Sequence, residues 1–157
     1  MHAERGLDVV RLNPGFVYGP GGLLRTAFVD QARSGRLRCI GRGSNWWSCV
    51  HVDDLGRAYA AALTAAQPGA YYAVADEHPV RLRELTDVVT DAMHLARVGS
   101  GAPWLVSLFI GRPLVASLVT SFQVDAARIR GDLGWQPAHT SFSESGPAEV
   151  AALAEAG

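Results

Sequence analysis

A chain of 157 residues that is 48% hydrophobic and 18% charged is long enough for one domain with a real core, and too apolar to stay disordered. A formal net charge of -1 gives no basis for recognising nucleic acid or an anionic membrane. All 14 basic residues are arginine, so this chain supplies no Schiff-base lysine, P-loop lysine or lysine general base.

In chain order, the apolar run Asp8 to Leu12 predicts a strand that ends in Pro14-Gly15, followed by Phe16-Val17-Tyr18 and a second Pro/Gly cluster from Gly19 to Gly22. Strands that end in such punctuation usually deliver backbone to a ligand. Leu23 to Ser34 has helical spacing with Gly35 as its stop, and Arg38 to Ile40 is a short strand. Cys49 to Val52 predicts another strand, after which Asp53 or Asp54 can cap a helix to about Ala66. Tyr71 to Ala75 is a third strand, and Val80 to Arg97 is an amphipathic helix behind Pro79 with Leu82, Leu85, Val88, Val89 and Met93 on its apolar face. Gly111-Arg112-Pro113 splits the apolar stretch Pro103 to Phe122 into two helical pieces, buried or lid-forming and too short to span a bilayer. The tail predicts a helix over Asp125 to Leu133, the loop Gly134-Trp135-Gln136-Pro137, and a last helix from about Ser143. Strands alternating with helices in a single domain over 1–157 imply an α/β layer architecture.

These elements carry few residue patterns that imply chemistry. Gly41-Arg42-Gly43 has two glycines of a dinucleotide fingerprint, but Trp46 stands at the third position and a plain loop is the better reading. His51, Asp53 and Asp54 suggest a His–Asp dyad, yet alternation along a strand and capping of a helix account for them structurally. His2, His78, His94 and His139 show no metal-ligand spacing, so no metal site is expected, and no nucleophile elbow occurs. Cys39 and Cys49 are isolated and follow no signal peptide, which suits a reducing cytoplasm.

The succession "GLDVVRLNPGFVYGPGG", "SCVHVDDLGRAYAAAL", "GAYYAVADEHPVRLRELTDVV" and "DLGWQP" resembles the C-terminal half of the extended short-chain dehydrogenase/reductases. That group holds NAD-dependent epimerases, dehydratases and hydroxysteroid dehydrogenase-like enzymes. The resemblance covers nearly the whole chain. It implies a partial doubly wound, Rossmann-like parallel sheet with a small helical substrate-binding subdomain.

The resemblance also implies roles. Pro14, Gly15, Phe16 and Val17 match the turn that carries backbone to the nicotinamide end of a bound NAD(P). Tyr18 and Gly19 match the turn that lines the substrate region, although a Tyr18 ring packed under the turn is an equal reading. Trp47 stands where relatives that bind nucleotide sugars often place an arginine on the diphosphate, and a neutral indole cannot replace a guanidinium there. Trp46 and Trp47 therefore either border a cavity for an apolar or aromatic substrate or cover the core or a partner surface. The family's glycine-rich loop and catalytic Tyr-x-x-x-Lys do not occur in the sequence, which leaves the catalytic residues unassigned. Met1 to Gly6 resembles the last turn of the helix that carries that lysine.

Two functions follow as expectations. One is the substrate-binding half of an NAD(P)-dependent enzyme that holds no cofactor tightly alone and associates as a homodimer or with a chain supplying the N-terminal half. The other is a cofactor-independent isomerase or cyclase, or a small-molecule binding module, that reuses the substrate cavity.

Overall fold

The computed structural model describes residues 8–156, so the helical turn expected at Met1 to Gly6 lies outside the described residues. The first strand, β1, occupies Arg11–Pro14 rather than Asp8 to Leu12. It runs parallel to β6 (Tyr71–Val74) with Arg11 opposite Tyr71 and Pro14 opposite Val74. Arg11 and Gly15 donate their N–H groups to the carbonyls of Ala70 and Val74, each at 2.9 Å. Alternation then turns the Pro14 nitrogen away from β6, toward an edge with no strand among the described residues, which is where a strand tolerates proline.

At Gly15 the chain changes neighbours. Phe16 donates its N–H to Ser48 O at 2.8 Å, and β2 (Phe16–Tyr18) runs parallel to β5 (Cys49–His51). A Cβ on Gly15 would meet Ser48 O at 2.3 Å, so only glycine allows the two backbones this close. Two shorter ladders complete the strands: β3 (Cys39–Ile40) is parallel to β8 (Ser100–Gly101), and β4 (Trp46–Trp47) is antiparallel to β7 (Val80–Arg81).

Side-chain alternation along β2 and β5 sorts the core into two layers. Phe16, Tyr18 and Cys49 join Leu24, Phe28, Leu85, Val89, Phe142 and Val150 on one face. Val17 and Val50 join Tyr72, Val74, Ala58, Ile129 and Trp135 on the other. Helices α3 (Leu82–Ala92) and α7 (Phe142–Glu155) pack on the first face, with α2 (Val52–Ala65) and α6 (Ala127–Leu133) on the second. Strands covered on both faces and joined by helices form the expected α/β, doubly wound arrangement.

Several local expectations shift for physical reasons. The helix expected from Leu23 begins as a π-wound segment, Leu24–Val29, which brings Leu24, Phe28 and Val29 inward together before α1 (Asp30–Arg33). It stops at Gly35, whose φ is 67°. The N-cap of α2 is His51, not Asp53 or Asp54: its side chain accepts the Asp53 N–H, while the Asp54 carboxylate faces another segment. The helix expected over Val80 to Arg97 is shorter because Val80 and Arg81 are held in the ladder with β4, and left-handed His94 (φ 55°) follows its end. Ser141 caps α7 by accepting the Glu144 N–H at 3.2 Å. The apolar stretch forms α4 (Pro103–Ile110) and α5 (Arg112–Val119) and is only partly buried: Val115 is 5% exposed, whereas Trp104 is 70% and Leu108 72% exposed.

Candidate functional site

In open α/β sheets ligands bind beyond the carboxyl ends of the strands, and here β2, β5 and β6 end at Tyr18, His51 and Val74. A buried polar cluster occupies that edge. The Asp54 carboxylate, wholly buried, accepts the N–H groups of Ala138 (3.1 Å) and His139 (2.9 Å) and lies 3.0 Å from His139 Nδ1. Arg57 pairs with it, and the Trp135 indole N–H donates to Asp54 O at 3.0 Å. Burial alone would raise the Asp54 pKa, but the hydrogen bonds from His139 and Ala138 and the Arg57 charge outweigh it and hold the carboxyl below its ordinary value. Asp54 thus ties the loop of Trp135 to His139 onto the start of α2.

His51 stacks on His139 at 3.8 Å between ring centroids. Its Nδ1 accepts the Asp53 N–H, which puts the proton of the neutral ring on Nε2, 3.3 Å from Glu149 Oε1. The Tyr18 ring meets His51 and Phe142 edge-on at 5.2 and 5.0 Å, and its hydroxyl lies 3.5 Å from Ser141 O. Burial pushes the Tyr18 phenol above its ordinary value, which removes it further from the range of a useful base. Asp76, just past β6, is 5% exposed, and neither carboxylate oxygen has a donor in hydrogen-bond geometry among the described residues. Burial raises it to about 7, against a weaker pull from the backbone of Cys49, Phe142 and His78. The Cys39 and Cys49 thiols are also pushed up by burial, which makes them poor nucleophiles.

The residues expected to contact ligands divide sharply. Pro14, Gly15 and Val17 are half-buried along the β1–β2 path, whereas the Phe16 ring is in the core against Phe28 and Trp47. Tyr18 and Trp47 are 1% and 3% exposed, so both rings belong to the core rather than to a cavity wall. Trp47 packs between Phe16 (5.2 Å) and Phe122 (5.4 Å), while Trp46, its neighbour on β4, turns outward beneath the Arg81 guanidinium at 4.4 Å. Gly19 is buried with φ 140°, and a Cβ there would meet Val52 Cγ1 at 2.6 Å. Of the expected substrate contacts, Trp46 alone keeps an accessible aromatic surface.

Sequence reasoning did not find His139, Glu149 or Asp76. Asp54 and His139 are 85 positions apart, and no local pattern joins them. Among the described residues no group of three or more His, Cys, Asp or Glu side chains is arranged to hold a metal ion, and no helix is long and apolar enough to cross a membrane.

Strands covered on both faces, with a Pro-Gly turn at the carboxyl edge of β1, give a Rossmann-like α/β fold. Residues 1–75 match the model of the NAD dependent epimerase/dehydratase family. A 2-alkyl-3-oxoalkanoate reductase from Stenotrophomonas maltophilia (strain K279a) is 31% identical over 114 residues, which is 69% of this chain and 34% of that protein. The structure of DesIV, a dTDP-glucose 4,6-dehydratase from Streptomyces venezuelae with NAD and TYD bound, is similar with a TM-score of 0.75 and 26% identity over 95% of this chain and 44% of that one. A human epimerase family protein solved with NADPH shares the fold, with a TM-score of 0.77 at 20% identity over 93% of this chain and 48% of its own. The chain therefore spans less than half the length of each of these relatives.

Proposed function

We propose that this chain is the substrate-side part of an NAD(P)-dependent reductase of the family, acting on an apolar small molecule rather than a nucleotide sugar. The likeness to the 2-alkyl-3-oxoalkanoate reductase carries this reading, because the name of that relative specifies alkyl chains on a keto acid. Trp47 supports it: a core indole stands where a sugar-nucleotide relative would need a cation for the diphosphate. In this reading the path Pro14 to Val17 lies beside the nicotinamide. Hydride transfer needs groups beyond these 157 residues, which contain no lysine and no glycine-rich phosphate loop. The unpaired edge of β1 is covered by a second copy or by a segment that carries those groups.

Calorimetry on the purified chain tests the reading. The expected result is no micromolar binding of NADPH and measurable binding of a 2-alkyl-3-oxoalkanoate. Tighter binding of dTDP-glucose than of the keto acid would overturn the substrate class, and light scattering from a well-folded monomer at high concentration would overturn the covered edge.

A further inference from the structure

The hairpin of α4 and α5 is unlike the rest of the surface. Arg112 is the single charged residue between Pro103 and Val119. Trp104 and Leu108, one turn apart on α4, are both more than two-thirds exposed. Gly111, with φ 86°, reverses the chain between the helices, and Pro103 and Pro113 fall in their first turns. The hairpin is tied to the body where α5 ends: Asn45 Nδ2 donates to Leu118 O at 2.9 Å, and Phe122 N donates to Trp46 O at 2.8 Å.

Between the two helices lies an open cavity of about 490 Å³, lined in part by Trp104, Ser107, Leu108, Arg112, Val115 and Ala116. Its volume is in the range of small-molecule sites, roughly 300 to 1,000 Å³. The Ser107 hydroxyl already donates to Trp104 O at 2.6 Å, inside its own helix. Arg112 has no carboxylate partner among the described residues. An apolar trough therefore opens beside one uncompensated guanidinium.

We propose that this groove binds a single alkyl or acyl chain that carries a carboxylate, with the chain along Trp104, Leu108, Val115 and Ala116 and the carboxylate on Arg112. The proposal rests on the reductase reading and adds the place and charge of substrate recognition. Concavity and charge together select this occupant. A bilayer surface favours an amphipathic face with several cations, whereas here a single cation borders a hollow. A guanidinium pairs a carboxylate through two parallel hydrogen bonds, and the indole and aliphatic walls hold the chain by area.

The test uses the chain with sodium dodecanoate, dodecan-1-ol and phosphatidylcholine vesicles as probes, read by calorimetry and by the fluorescence that Trp104→Phe removes. The proposal expects dodecanoate to bind, Arg112→Gln to weaken it about tenfold while leaving dodecan-1-ol within about twofold, and Leu108→Asp to weaken both. Both substituted residues are exposed, and unchanged circular dichroism and thermal midpoint verify that the variants fold. Dodecanoate binding that is absent, or indifferent to both variants, overturns the proposal, as does vesicle binding without discrimination between dodecanoate and dodecan-1-ol. Dodecanoate has no keto group, so a groove that binds it while the keto acid is never reduced by the complete enzyme separates failure of the reductase reading from failure of this one.

Discussion

The carboxyl edge of the sheet and the α4–α5 hairpin divide the polar and apolar work of this chain in opposite ways. At the sheet edge, where the fold would lead one to look for ligand-binding groups, Tyr18, His51 and Asp54 are buried: Asp54 holds the His139 loop, the His139 ring stacks on His51, and Tyr18 meets His51 edge-on. In the hairpin, large apolar side chains face outward around one arginine. The buried Asp54 network holds structure together, whereas exposed apolar surface around an unpaired charge is the kind of patch that serves interaction. On the proposal above, the ligand-facing residues lie in the hairpin and not at the carboxyl edge where the fold alone would place them.

The largest expected effect comes from breaking the polar side of that contrast. Asp54→Ala leaves the N–H groups of Ala138 and His139, the His139 ring and Arg57 without their acceptor. A loss of about 3–5 kcal/mol in urea unfolding is expected. A loss below about 1 kcal/mol would mean that the loop is held by Trp135 packing instead.

A smaller effect, and one with a definite sign, concerns Asp76. Its folded pKa, about 7, lies above the ordinary carboxylate value of 3.8, so between those values the folded state holds a proton that the unfolded chain has released. Its contribution makes stability fall as pH rises through that window, by up to about 1.4 kcal/mol per pH unit, and then level off above pH 7. Asp54 acts in the opposite direction: its lowered pKa contributes stability above the unfolded value that is lost as the pH falls through the folded one. Unfolding measured from pH 4 to 8 should lose most of its downward slope in Asp76→Asn, and an unchanged slope would show that Asp76 is solvated.

Much of the fold was legible from residue order. The strands at Cys49 and Tyr71, the stop at Gly35, the helix over Asp125 to Leu133 and a last helix, expected from about Ser143 and found to begin behind its Ser141 cap, follow from local pattern. Gly15 was visible as a special position but for a different reason: the turn pattern suggested backbone offered to a ligand, and the structure shows backbone pressed against Ser48 O. Tyr18 and Trp47 share their place in the order with ligand-lining positions of the family they resemble, yet strand alternation turns both inward. The pairing of Asp54 with His139 was not legible, since it depends on how α6 returns the tail to α2. The hairpin was visible as an apolar stretch, but whether such a stretch is buried or exposed depends on what packs against it.

The contrast between a structural edge and a recognising hairpin is tested most directly by mapping backbone amide shifts of the chain while a 2-alkyl-3-oxoalkanoate is titrated in. Perturbations centred on Trp104 to Val119, with Tyr18, His51 and Trp47 nearly still, are the predicted result. Shifts centred on Pro14 to Gly19 and Trp46 to His51, with the hairpin unmoved, would contradict it and return substrate recognition to the carboxyl edge of the sheet.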